Sequence, residues 1–300
     1  MKIGMNMLLW TGHVTQEHIP VLRALKATGF DGVEVPVFDA SDEGHYRWLS
    51  GVLDDLGLER TVVALIPDEA HSPLSPDASA RRAGAEHLKR VIGCTQALGG
   101  QVMAGPWFQP LGVFSGEPPT DTELERCAEV HREVLPMMRA AGIVPGLEPL
   151  NRFEAYLLNT MEQAAAYASR IGDQGIGILY DTFHANIEEK DPIAALRAIH
   201  ASGNLAHVHI SENDRGTPGR GHAKIREAIV VLEELGYRGW LTIEAFGRAL
   251  PELAAATRVW RDFFTDPQDV YTEGFRYIRE CRDAARTSPA QVAAGQEGVS

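Results

Sequence analysis

The chain is poor in cysteine: Cys94, Cys127 and Cys281 are the only three, odd in number and far apart. They form no CxxC pair and no zinc-ligand spacing. That excludes a disulfide framework and a cysteine-ligated zinc module, and it makes a reducing cytoplasm the expected compartment. Positive charge is also short. Lys and Arg number 28 against 41 Asp and Glu, a formal net charge of -13, so no basic face is expected to displace counterions from phosphates, and DNA and RNA are excluded as partners. No apolar run reaches the length that spans a bilayer, so no membrane partner is expected. The opening MKIGMNMLLW leads straight into a strand pattern without the anatomy of a signal peptide. No GxGxxG or GxxxxGK[ST] follows the first apolar run, which removes the phosphate fingerprints of an open nucleotide-binding sheet.

What is there is a repeat of apolar and β-branched runs, each followed by a turn and then by helical periodicity. Eight runs can be counted: KIGMNMLL from Lys2, GVEVPV from Gly32, RTVVALI from Arg60, QVMAGPW from Gln101, VPGLEPL from Val144, IGILYDTF from Ile176, LAHVHISE from Leu205 and WLTIEAF from Trp240. Amphipathic segments between them, such as HIPVLRALKATG and HYRWLSGVLDDLG, mostly close on a glycine, the residue expected at a helix C-terminus. With 44% hydrophobic residues in 300, this reads as a single α/β domain, a (β/α)8 TIM barrel over residues 1–286. Helices from Pro251 and Pro267 are expected to complete the outer ring, and the tail TSPAQVAAGQEGVS, 287–300, to be disordered. The Gly- and Pro-rich link FQPLGVFSGEPPTDTE is the candidate lid.

In a barrel of this kind the strand C-termini carry the chemistry. Four consecutive runs end in polar residues: GLEPLNRFE, LYDTFH, HVHISENDR and LTIEAFG. Singly, each carboxylate there can be a helix cap or an arginine's partner. Jointly, Glu148, Asp181, His209 and Glu244 sit in otherwise apolar strands, and burying three carboxylates side by side requires a positive charge among them. A divalent cation supplies it. Three carboxylates and one imidazole make an oxygen-rich set that suits Mn²⁺ first, with Mg²⁺ or Co²⁺ as alternatives, and leaves two octahedral positions for adjacent oxygens of a keto-sugar. His207 shares a strand face with His209, one layer deeper, and is expected to be a buried hydrogen-bonded histidine. Glu34, inside GVEVP, reads as a buried hydrogen-bond partner, and His71 as a loop histidine that is more often exposed. Trp10 and Trp107, with Phe108, are expected to form apolar walls at the mouth.

The order EPLNRFE, DTFH, HVHISENDR, IEAF resembles the sugar-phosphate isomerase/epimerase superfamily of xylose-isomerase-like barrels, and within it the D-tagatose and D-allulose (psicose) 3-epimerases. The resemblance covers nearly the whole barrel and is weakest in the first third and the tail. It implies that Glu148 and Glu244 act as an acid/base pair besides binding the metal, and that Glu154, His184 and Arg215 hold the substrate. It implies a ketose 3-epimerase, working through an enediolate, that assembles as a homodimer or homotetramer. The segments MNMLLWTGH and GPWFQPLGVFSG depart from the characterised epimerases, so a ketohexose, a ketopentose and a larger keto-sugar all stay open. The same groups would also serve an aldose-ketose isomerase of the hydroxypyruvate isomerase kind, or a lyase or dehydratase acting on a keto-sugar or inosose. Metal-dependent apurinic endonucleases share the barrel but need more metal-binding histidines and a basic face, and a non-catalytic barrel would not need both glutamates.

Overall fold

A computed structural model describes residues 1–172 and 175–287. Eight parallel strands run in chain order and close on themselves, with β8 returning to pair with β1. The strands are β1 (Lys2–Asn6), β2 (Gly32–Pro36), β3 (Glu59–Val63), β4 (Val102–Gly105), β5 (Val144–Leu147), β6 (Gly177–Asp181), β7 (Leu205–Ile210) and β8 (Trp240–Ile243). The helices are α1 (Ile19–Thr28), α2 (Glu43–Leu56), α3 (Ala78–Leu98), α4 (Asp121–Ala140), α5 (Met161–Ile171), α6 (Thr182–Glu188), α7 (Pro192–Ala201), α8 (Ile225–Glu234), α9 (Pro251–Ala256) and α10 (Pro267–Arg286). The single barrel domain expected from the repeat is therefore the fold. Residues 288–300, most of the segment expected to be a disordered tail, lie outside the described residues, and Thr287 caps α10.

The apolar runs overshoot the strands at their C-terminal ends for a local reason. In KIGMNMLL the strand stops at Asn6, whose side-chain oxygen accepts from Leu8 N at 2.9 Å and starts a 3-10 turn over Met7–Leu9. IGILYDTF breaks at Asp181, which caps α6 through Phe183 N and His184 N. Glu148 and Glu244 stand one residue beyond β5 and β8 rather than within them, yet their amides continue the barrel ladder, Glu148 N to Gly105 O at 3.0 Å and Glu244 N to Ile210 O at 3.2 Å. Gly105 has φ of 111°, and a Cβ there would lie 2.3 Å from Ala64 O, so only glycine can end β4 in this way.

Two segments shape the mouth. The FQPLGVFSGEPPTDTE link is tied to the loop after β5: Gly112 N donates to Glu154 O at 2.9 Å, and Gln109 Oε1 accepts from Leu157 N at 2.9 Å and Tyr156 N at 3.2 Å. Helix α9 departs from expectation. It does not extend the outer ring but packs Ala254 with Leu8, Val63, Phe246 and Val259 above the strand ends. Six residues with a single buried alanine cannot cover a barrel side, which is left to α10 against α8 and α1.

Candidate metal centre and active site

Glu148, Asp181, His209 and Glu244 leave four consecutive strands and converge, one ligand atom from each lying within 4.8 Å of the others. All four are buried. His209 Nδ1 points at the three carboxylates, 3.5 Å from Glu244 Oε1, 3.6 Å from Asp181 Oδ2 and 3.7 Å from Glu148 Oε1. His209 Nδ1 and Glu148 Oε1 are buried polar atoms without a hydrogen-bond partner, which is costly unless a cation takes them up. Burial, reinforced by the charges of Glu244 and Asp181, pushes the Glu148 carboxyl up to about 8, against the opposing pull of His209. Although burial opposes it, the surrounding carboxylates, Glu34 first, hold the His209 imidazole well above its ordinary range. Both shifts state that this cluster is short of positive charge. The donor set fits one divalent cation. Asp181 combines the two expected readings, with Oδ1 capping α6 and Oδ2 facing the cluster.

His209 is oriented from below. Its Nε2 lies 2.7 Å from Glu34 Oε1, and His207 Nε2 lies 3.0 Å from Glu34 Oε2, one layer deeper in the barrel as the two-residue spacing requires. Asn6 Nδ2 links Glu34 Oε1 at 2.9 Å to Glu244 Oε1 at 3.0 Å. The signal in the sequence is an acidic residue at the centre of the fully buried strand GVEVP. Asn6 carries no comparable signal, because only barrel closure brings β1 beside β8.

Arg215 is buried rather than a solvated loop residue. Its guanidinium carbon sits 3.9 Å from the Phe183 ring centre and 4.7 Å from that of Phe246, and Nη1 donates to Glu244 Oε2 at 2.8 Å and Asp181 Oδ2 at 3.3 Å. It has φ of 62°, an unusual backbone for arginine and the kind of strain found where a side chain must be aimed. His184 Nδ1 accepts from Asn151 N at 3.0 Å, so Nε2 carries the ring proton when the imidazole is neutral. Burial, followed by the Arg215 charge, lowers the His184 imidazole to about 3 and keeps it neutral. Its Nε2–H and Arg215 Nη2 are two donors 2.9 Å apart, arranged for one acceptor oxygen to serve both. Glu154 is buried, accepts from Asn151 Nδ2 at 2.7 Å, and is raised by burial.

These groups share one cavity of about 50 Å³, in which Glu148, Glu154, His184, Arg215 and Glu244 form the polar side. Its apolar walls include Leu8, Phe38, Leu111, Phe246 and Leu253. Trp10 and Trp107, expected as walls, do not line it. Trp10 follows the 3-10 turn and leans on Tyr271 of α10 at 6.0 Å, so its neighbour Leu8 takes the mouth position. Trp107 is wholly buried against His131 of α4 at 4.7 Å. Phe108 is buried in the same core cluster. His71 pairs with Asp68 at 2.7 Å near the start of α3, away from the cavity.

The profile of the family described as xylose isomerase-like TIM barrel matches residues 22–281. The chain belongs to that family. It is 31% identical over 281 residues to a protein of Synechocystis sp. named probable ketose 3-epimerase, covering 93% of this chain and 96% of the relative. It is 30% identical to an L-ribulose 3-epimerase of Mesorhizobium japonicum, with 98% of each chain covered. A solved L-ribulose 3-epimerase structure superposes with a TM-score of 0.88 at 31% identity, over 95% of each chain. The family and the closed barrel thus agree with the resemblance read from the strand-end motifs.

Proposed function

We propose that the chain is a divalent-metal-dependent ketose 3-epimerase, a carbohydrate isomerase that interconverts the C3 epimers of a free keto-sugar. The observation that carries this reading is the placement of Glu148 and Glu244, which reach from strands three apart around the barrel into one buried cluster with Asp181 and His209. Epimerisation beside a carbonyl removes a proton from one face of a carbon and returns one to the other, and two carboxylates approaching from separate strands serve the two faces. A divalent ion held by the four side chains, Mn²⁺ by preference and Mg²⁺ or Co²⁺ as alternatives, supplies Lewis-acid stabilisation of the charge that builds on the sugar's oxygens. Arg215 adds fixed positive charge beside the enediolate that forms when the C3 proton leaves. His184 Nε2–H donates to a sugar oxygen together with Arg215, and Glu154 accepts from a hydroxyl. The names of the relatives support the ketose substrate. A homodimer or homotetramer in the cytoplasm belongs to the same reading; the free, buried state of Cys94, Cys127 and Cys281 supports a reducing compartment.

The test is incubation of the Mn²⁺-loaded protein in deuterated water with D-fructose, D-tagatose, D-ribulose and hydroxypyruvate. Deuterium at C3 with recovery of both epimers is the expected result. Loss of water, or conversion to an aldose alone, overturns the epimerase reading.

A further inference from the structure

Beneath the four converging side chains lies a fourth acidic group that ligates nothing in the proposed centre. Glu34 is fully buried and every side of its carboxylate is engaged: Oε1 by His209 Nε2 at 2.7 Å and Asn6 Nδ2 at 2.9 Å, Oε2 by His207 Nε2 and Thr61 Oγ1, both at 3.0 Å. A fully buried carboxylate opposes folding unless its partners hold it ionised. Asn6 Nδ2 and Thr61 Oγ1 donate to it and the imidazoles of His209 and His207 face its remaining lone pairs, the surroundings of an ionised carboxylate.

An ionised carboxylate only accepts, so the His209 nitrogen facing it carries the ring proton. Once the ring is neutral, as ligation requires, that leaves the Nδ1 lone pair facing the carboxylates of Glu148, Asp181 and Glu244, where a cation would sit. We infer that Glu34 is a positioning residue for the metal centre: it locks His209 in the tautomer whose Nδ1 can ligate, and through Asn6 it steadies the carboxylate of Glu244. The inference rests on the metal-centre reading proposed above. Glu34 is kept off the centre itself by geometry, since it meets His209 on the ring edge opposite the cluster. A carboxylate behind a ligating imidazole fixes ring orientation and raises ligand basicity, and its loss weakens metal binding. A carboxylate that merely satisfied the buried His207 would leave metal affinity alone.

The two roles separate in a Mn²⁺ titration of the full chain, read by the electron paramagnetic resonance of free Mn²⁺, with wild type beside Glu34→Gln and Thr61→Val. Wild type is expected to take up one Mn²⁺. Glu34→Gln, which keeps the shape but loses the charge, is expected to raise the dissociation constant about 10- to 100-fold. Thr61→Val, which removes a donor to Glu34 and leaves His209 untouched, should bind close to wild type. A Glu34→Gln variant that binds as tightly as wild type overturns the positioning role while the metal centre stands. A wild type that binds no Mn²⁺ overturns the metal centre itself. Should Glu34→Gln not fold, imidazole ¹⁵N spectra of Mg²⁺-saturated wild type decide the matter. Protonation of His209 at Nε2 supports the inference, and protonation at Nδ1 overturns it.

Discussion

Arg215 Nη1 donates to Glu244 Oε2 at 2.8 Å, joining the buried cation of the β7–α8 loop to the carboxylate at the end of β8. Among the described residues it is the arginine that pairs with both Asp181 and Glu244 of the cluster, and two phenylalanine rings hold it in place. Arg215→Met is expected to destabilise the metal-free protein by about 3 kcal/mol or more, the usual cost of leaving buried charges unpaired. The loss should shrink in saturating Mn²⁺, which neutralises the same carboxylates. Urea unfolding in EDTA and in Mn²⁺ checks this; an equal loss in both would show that Arg215 and the cation do not share partners.

The two glutamates are expected to share one signature. Glu148→Gln and Glu244→Gln should each lower solvent exchange of the substrate C3 proton by about 100- to 10,000-fold, the range for removing a positioned acid or base. Deuterium incorporation measured by mass spectrometry at saturating Mn²⁺ reports it. Exchange at the wild-type rate in both variants would remove these residues from the chemistry.

Metal binding should release protons. Without a cation, Glu148 titrates near 8 and so holds a proton at pH 7, the surrounding carboxylates favour the protonated form of His209, and ligation requires both groups deprotonated. Mn²⁺ affinity is therefore expected to rise with pH between 6 and 8, with protons released as the ion binds. Calorimetry in buffers of different ionisation enthalpy counts them.

The cavity of about 50 Å³ holds a few waters, well short of a ketohexose, and Leu253 of α9 forms part of its roof. Movement of α9 is expected to admit the sugar. Leu253→Trp should raise KM for D-tagatose about tenfold or more, the scale on which added bulk in a substrate pocket acts, with Mn²⁺ affinity unchanged. Steady-state kinetics beside a metal titration distinguishes this from damage to the centre.

His131 gives a pH signature away from the centre. It is buried, with Nε2 3.2 Å from Trp107 O and Nδ1 2.7 Å from the Tyr167 hydroxyl, and burial lowers it from 6.5 to about 4. Between these values the unfolded chain binds a proton that the folded chain does not, so stability falls as pH drops from 6.5 to 4. The full effect is about 3 kcal/mol. His131→Gln, which cannot titrate, should lose less stability than wild type across that window in urea melts at stepped pH. Parallel pH curves for the two proteins would contradict the assignment.

Much of the site was legible along the chain because strand C-termini in a parallel barrel all face one way. A carboxylate or histidine that interrupts an apolar run near its end, as Glu148, Asp181, His209 and Glu244 do, is directed to the mouth by the strand period and chain direction alone. The spacing of His207 and His209 fixed their relative depth for the same reason. The walls were not legible in this way. Trp10 lies only four residues past Asn6, but the cap that Asn6 makes on Leu8 bends the chain, and Leu8 meets the cavity instead. Likewise Pro251 announces a helix without stating whether it joins the ring or covers the mouth, which its packing with Leu8, Val63 and Phe246 decides.

By itself, then, the sequence determined the closed barrel, the four converging side chains and the layer to which each histidine belongs, since these follow from periodicity and chain direction. Only the tertiary structure decided that Glu34 stands behind His209, that Arg215 is buried between two rings, and that α9 closes the mouth. Each of these depends on contacts between segments distant in the chain, Glu34 and His209 being 175 residues apart, and no local pattern of side chains encodes which of them meet when the barrel closes.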